Sequence, residues 1–209
     1  MKIGIFDYGA GNLASVFKAF NTLGCNVKIV EDTGSLNDIS HLVLPGVGNF
    51  SSAMRRLAET EADEKIRNFC RSGKAFLGIC LGMQLLASKG SESTPLELEW
   101  TEGLNLIPGR VEQLKTLGCN LAQPHVGWND LIQKSSHPAF AGIADGIDFY
   151  FVHSFAFTPA ESNHVIGVTD YDISITAVVS HDNILGCQFH PEKSSKAGQL
   201  FLQNWLKTC

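Results

Sequence analysis

Residues 74–84, KAFLGICLGMQ, limit the fold of this chain more tightly than any other stretch. Ala75, Phe76 and Leu77 form an apolar run of strand character, and Leu81, Leu85 and Leu86 then recur at helical spacing. A buried strand therefore turns straight into a helix. The corner, Gly78-Ile79-Cys80-Leu81-Gly82, is the cysteine form of a nucleophile elbow. So sharp a corner leaves no room for side chains two residues before and after the cysteine, where glycines stand. It points the thiol out of the top of the sheet, at a helix N-terminus where the dipole favours thiolate. A small buried thiol in a glycine-flanked turn would read the same way, so the elbow needs a base.

Gly186-Cys187-Gln188-Phe189 reads as a strand that runs into His190-Pro191-Glu192. The imidazole can take a thiol proton and return it to a leaving amine, while the carboxylate fixes its tautomer and orientation. Cys80 and His190 both end strands, and open α/β sheets carry their sites at the carboxyl ends of strands. That shared position favours a catalytic pair over a merely structural histidine.

Strand signals at residues 3–7, 27–30 and 41–44 alternate with helical stripes at 13–23, 50–57 and 61–72. The alternation implies an α/β fold: an open, mostly parallel sheet with helices on both faces. Beyond about residue 90 short alternating runs appear at 109–114, 149–152, 165–169, 175–179 and 184–189. They are expected as antiparallel additions to the same sheet, closed by a helix at 198–207. With no linker or repeat, residues 1–209 are expected to form one domain.

Charged residues make up only 18% and the net charge is −5, which argues against nucleic acid or an anionic membrane surface. No apolar run reaches the roughly 18 residues of a membrane span, and Met1-Lys2-Ile3 enters a strand without a signal peptide. The six cysteines include no pair spaced for zinc or thioredoxin-type chemistry, so they read as thiols in a reducing, cytoplasmic setting. One pattern points elsewhere: Gly9, Gly11 and Ala14, with Glu31 and Asp32 downstream, match a dinucleotide-binding turn. Bulky Tyr8 sits awkwardly before it, and a tight turn capped by Asn12 reads the same residues.

PGVG at 45–48, GICLGMQ at 78–84 and QFHPEKSS at 188–195 resemble the class I (triad) glutamine amidotransferases, whose fold is flavodoxin-like. With DYGAGN at 7–12, PHVGWN at 124–129 and YFVHSF at 150–155, the chain is most similar to the glutaminase subunits of imidazole glycerol phosphate synthase. In that family the glycine turn binds no dinucleotide. The resemblance implies that Cys80 attacks the glutamine side-chain amide, that His190 is the acid–base and that Glu192 orients it. It implies an oxyanion hole from the backbone N–H groups of Leu81 and Gly48, and substrate contacts at Gly46, Gln84, His153, Ser154 and Phe155. It places His125, Trp128, Asn129, Tyr150 and Lys193 where the family faces or gates its partner, and it implies no cofactor or metal. As bare sequence, Trp128 reads instead as a core residue. Since no acceptor domain is visible in the chain, ammonia would pass in trans to a HisF-type (β/α)8 cyclase that makes imidazole glycerol phosphate for histidine biosynthesis. Val126, Asn105 and Phe155 depart from the usual family residues, and a paralogous synthase that amidinates surface sugars is the alternative acceptor.

Overall fold

The computed structural model describes every residue except Ala10, Asp32, 93–99 and Cys209. Asp32 of the glycine-turn pattern, Ala10 between its two glycines, and one cysteine thus lie outside the described residues. The first half runs β1 (Lys2–Phe6), α1 (Leu13–Thr22), β2 (Asn26–Val30), β3 (His41–Gly46), α2 (Phe50–Glu59), α3 (Ala62–Arg71), β4 (Ala75–Cys80) and α4 (Leu81–Gln84). The second half is β5 (Lys89–Gly90), β6 (Thr101–Glu102), β7 (Gly109–Gln113), β8 (His125–Gln133), β9 (Ile147–His153), β10 (Phe155–Pro159), β11 (Val165–Tyr171), β12 (Ile173–His181), β13 (Ile184–Cys187) and α5 (Ser195–Trp205).

Nine strands form the main sheet in the order β2-β1-β3-β4-β13-β12-β11-β8-β9. The pairs from β2 through β13 are parallel and the remainder are antiparallel. Alternation along the central strands divides the core in two. Phe6, Leu42, Leu44 and Phe76 pack with α2 and α3, whereas Ile3, Ile5, Val43, Leu77 and Ile79 pack with α1 and α5. Every residue of β3 and β4 is buried, as expected of parallel strands covered on both faces.

Three expectations needed revision. The additions do not all join the main sheet: β10, β7, β5 and β6 make a separate four-stranded one. The strand read at 184–189 pairs in parallel with β4 as well as antiparallel with β12. The elbow helix is one turn long, because tertiary partners take its next carbonyls: Leu104 N–H bonds Leu85 O at 2.9 Å, and Leu106 N–H bonds Leu86 O at 2.9 Å. The Asn12 cap of α1 is present, accepting from Ser15 N–H at 3.4 Å.

The register of β3 against β4 sets Gly46 opposite Cys80, so the glycine-rich strand end lies beside the elbow. Cys80 itself adopts φ 54° and ψ −110°, a strained conformation that costs a non-glycine residue about 1–3 kcal/mol. A Cβ on Gly82 would run into the Leu44 carbonyl oxygen, and one on Gly78 would stand 2.5 Å from Gly82 O. Both neighbours are backbone, so neither can yield without moving β3 or the elbow helix α4.

Gly82→Ala is therefore expected to lower stability in denaturant unfolding by about 3 kcal/mol or more, at the upper end of overpacking effects. Gly24→Ala, at φ +76° with open space around it, should lose only about 1 kcal/mol. Equal losses from the two variants would contradict this account of the elbow.

Candidate active site

Cys80 stands at the end of β4 on the wall of a cavity of about 250 Å³, shared with Val47, Gly48, Leu81, Gln84, Glu92, Pro124, Val152, His153, Ser154 and Phe155. That is below the roughly 300–1,000 Å³ of drug-sized pockets and suits a ligand no larger than an amino acid. The strand end of β3 forms one side, the elbow the floor, and the break between β9 and β10 the other side. Leu81 opens α4, so its N–H has no intrahelical partner and is free for a ligand in the cavity. Gly48, at φ +105°, adopts a backbone conformation closed to most side chains.

His190 follows β13 and is fixed from behind. Its N–H bonds Tyr150 O at 2.9 Å, and its carbonyl accepts from the Ser194 hydroxyl at 2.7 Å. Its Nδ1 meets Glu192 Oε1 at 2.7 Å, with the two side chains only 3% and 1% exposed. Nε2 is buried, with no hydrogen-bond partner among the described residues. Burial alone would lower the His190 pKa, but the adjacent Cys80 sulfur and the Glu192 carboxylate outweigh it and push it up to about 10. A protonated imidazole clamped by a buried carboxylate is the charge partner a thiolate requires. The Cys80 sulfur also receives Gln188 Nε2 at 3.7 Å.

Gln84 is buried; its Nε2 donates to Phe155 O at 3.0 Å and to Gln188 Oε1 at 2.9 Å. The His153 side chain turns away into the interior, where Nδ1 bonds Phe155 O at 2.8 Å and Nε2 meets His125 Nδ1 at 3.0 Å. Gly46 lies behind the cavity wall, where any Cβ would collide with the buried Tyr8 hydroxyl and approach Leu81. Burial raises the Tyr8 pKa, with Cys80 adding to it, and the hydroxyl has no partner among the described residues.

The residues matched to the partner face divide. Trp128 is 52% exposed, not core as its hydrophobicity suggests, and its ring lies edge-on to half-buried Tyr150 at 6.1 Å. Exposed Lys193 sets its Nζ 5.6 Å from the Tyr150 ring centre. His125 is instead buried, stacked between Phe151 at 5.0 Å and Tyr171 at 4.1 Å, and half-buried Asn129 donates to Asp170 O at 2.8 Å. Alternation along β8 is the reason, since residues of opposite parity face opposite sides of a strand.

Two side chains at the site were missed in the sequence. Glu92 lines the cavity, takes the N–H of Phe50 at the start of α2 at 2.9 Å, and has its pKa raised by burial. Its sequence surroundings, Ser91-Glu92-Ser93, carry no periodicity. Gln188 is fully buried beside the thiol, and its only signal was a polar residue inside an apolar strand. Among the described residues, no cluster of three His, Cys, Asp or Glu could hold a metal ion.

A sheet of this topology with a cysteine elbow, a strand-end histidine and its glutamate defines a glutamine amidotransferase-like α/β protein. The model of the family "Glutamine amidotransferase class-I" matches residues 4–209, and the chain belongs to that family. It is 45% identical over 203 residues to the imidazole glycerol phosphate synthase subunit HisH of Caldanaerobacter subterraneus subsp. tengcongensis, covering 97% of this chain and 96% of that protein. The HisH subunit of Geobacillus thermodenitrificans is 42% identical, with 98% and 94% covered. PurLQS from Thermotoga maritima shares the fold at a TM-score of 0.74 and 20% identity, with 99% of this chain and 97% of that chain covered.

Burial lowers the His153 pKa from 6.5 to about 4; the bond to the Phe155 carbonyl opposes it, and the neighbouring His125 and His190 would further disfavour a second charge there. Between pH 6.5 and about 4 the unfolded chain therefore binds a proton that folded His153 refuses. Stability present above pH 6.5 should fall through this window, by up to about 3 kcal/mol from this group. Denaturant unfolding at stepped pH should show that slope flattened in His153→Gln; an unchanged slope would contradict the assignment.

Proposed function

We propose that this chain is the glutaminase subunit of an imidazole glycerol phosphate synthase. It hydrolyses glutamine to glutamate and ammonia and delivers the ammonia to a HisF-type (β/α)8 cyclase, with residues 1–209 acting as one domain. The observation that carries this reading is the meeting of Cys80, Leu81, Gln84, Val47–Gly48 and the 153–155 backbone on one amino-acid-sized cavity.

The chemistry follows from the groups present. The Cys80 sulfur attacks the side-chain amide carbon of glutamine, and the charge that develops on oxygen is met by the N–H groups of Leu81 and Gly48. One preorganised donor of this kind contributes about 2.7–4 kcal/mol to lowering the barrier. His190 passes its proton to the departing nitrogen, which leaves as ammonia, and a γ-glutamyl thioester remains on Cys80. Water then adds to the thioester as His190 takes its proton; glutamate leaves and the thiol is restored. Glu192 holds the Nδ1 proton of His190 throughout. Gln84 and Gln188 fix the pocket floor, and the carboxylate of Glu92 is placed to meet the substrate's α-ammonium.

Ammonia freed into water would be protonated and lost to the synthase reaction. The exposed Val126 and Trp128, with Tyr150 and Lys193 beside them, support docking of the cyclase on this side. No described helix is long and apolar enough to cross a membrane, and five described cysteines are free, which supports the cytoplasmic location assigned here.

In the reconstituted complex, Cys80→Ala should abolish synthesis from glutamine while synthesis from added ammonium chloride stays within about threefold of wild type. Product formation with each nitrogen source, and with the cyclase's ribonucleotide substrate, is the measurement. Persistent glutamine-dependent turnover would remove Cys80 as the nucleophile. A glutaminase active only with a sugar-modifying synthase would replace the histidine-pathway acceptor.

A further inference from the structure

Behind the cavity, three side chains make one hydrogen-bonded line from β8 to the substrate wall. Asn129 Nδ2 lies 3.2 Å from His125 Nε2, His125 Nδ1 lies 3.0 Å from His153 Nε2, and His153 Nδ1 lies 2.8 Å from Phe155 O. Only one placement of hydrogens satisfies the line. A carbonyl can only accept, so His153 must carry its proton on Nδ1. Burial keeps His153 and His125 neutral, lowering the pKa of each. His153 Nε2 is then an acceptor, and His125 Nδ1 must donate to it.

The same logic makes His125 Nε2 an acceptor for the Asn129 amide. The far end agrees independently: Asn129 Nδ2 donates at 2.8 Å to Asp170 O, and Asn129 Oδ1 accepts from Asp130 N–H at 3.0 Å. Both amide hydrogens are used, and backbone carbonyls anchor both ends. A proton added to either imidazole would set two N–H groups against each other in a buried contact, which the low local dielectric makes expensive. His125 cannot rotate to escape, because its ring is stacked between Phe151 and Tyr171.

The line ends at the substrate. Phe155 O receives His153 Nδ1 and Gln84 Nε2 together, so both its lone pairs are engaged and its peptide plane is fixed. Residues 153–155 form the cavity wall at the break between two sheets, where ladder hydrogen bonds alone do not hold the backbone.

We propose that His125 and Asn129 are positioning residues for glutamine: through His153 they hold the Phe155 carbonyl, and with it the 153–155 wall, in its substrate-binding geometry. This rests on the glutaminase reading. The triad is not touched, so the effect falls on substrate binding.

His125→Phe keeps an aromatic ring in the stack and removes both nitrogens; Asn129→Ala removes the outer donor. In the glutaminase–cyclase complex, His125→Phe should raise the glutamine KM about tenfold and leave kcat within about twofold, the scale of one lost buried hydrogen bond. Asn129→Ala should raise KM about threefold. Nitrogen chemical shifts of the wild-type chain should show both histidines protonated on Nδ1 and bare on Nε2, a readout that needs no activity and no variant. A KM within twofold of wild type for His125→Phe, a loss confined to kcat, or an Nε2-protonated form of either histidine would overturn the proposal. A wild-type complex that releases no glutamate would sink the glutaminase reading itself, while the nitrogen shifts would still decide the polarity of the line.

Discussion

The structure depends on one backbone constraint, the strained turn at Cys80. Its positive φ is tolerated because Gly78 and Gly82 let the elbow close onto the Leu44 carbonyl, in the middle of the fully buried strand pair β3 and β4. That contact sets the height of the thiol above the sheet. The pairing of Gly46 with Cys80 then fixes the glycine-rich strand end beside it, and the pairing of β4 with β13 brings in His190 from the next strand. The two core layers work as the support that keeps this turn from relaxing.

Electrostatics separates two histidine environments only a few residues apart in space. His190 is held charged by Glu192 and the Cys80 sulfur, whereas His153, equally buried, faces only a carbonyl and another neutral ring and stays uncharged. Burial is common to both and lowers both; the partners decide the outcome. Stability gained from protonated His190 is complete below its unfolded pKa of 6.5 and is lost as pH rises toward about 10, while that tied to neutral His153 is lost toward acid. The two trends leave the chain most secure near neutrality.

The sequence was informative wherever a local rule was strong. Glycine spacing exposed the elbow, the alternation of strand and helix signals the parallel half, and the His-Pro-Glu strand end the buried histidine–glutamate pair. It was weak where tertiary contacts override local signals. β8 contains Gly127, Asn129 and Asp130, poor strand formers held in place by pairing with β9. The elbow helix stops after one turn because the 104–107 segment takes its carbonyls, a competition no periodicity reports. The burial of His125 and the exposure of Trp128 depend on which face of β8 meets the interior, and a strand unrecognised in sequence offers no faces to assign. Glu92 reaches the cavity through tertiary bonds, its own to the start of α2 and that of Ser91 N–H to Val111 O, which no local pattern reports.

Of the six cysteines, Cys80 lines the glutamine-sized cavity, and the proposed reaction makes it the nucleophile. The most direct test is covalent labelling with a glutamine analogue carrying an electrophile at the side-chain carbonyl, followed by peptide mass spectrometry. One label per chain is expected, on the peptide containing Cys80, suppressed by excess glutamine and absent in His190→Ala under the same exposure. Labelling of Cys25, Cys70, Cys119 or Cys187 in place of Cys80, or labelling that glutamine does not suppress, would contradict it.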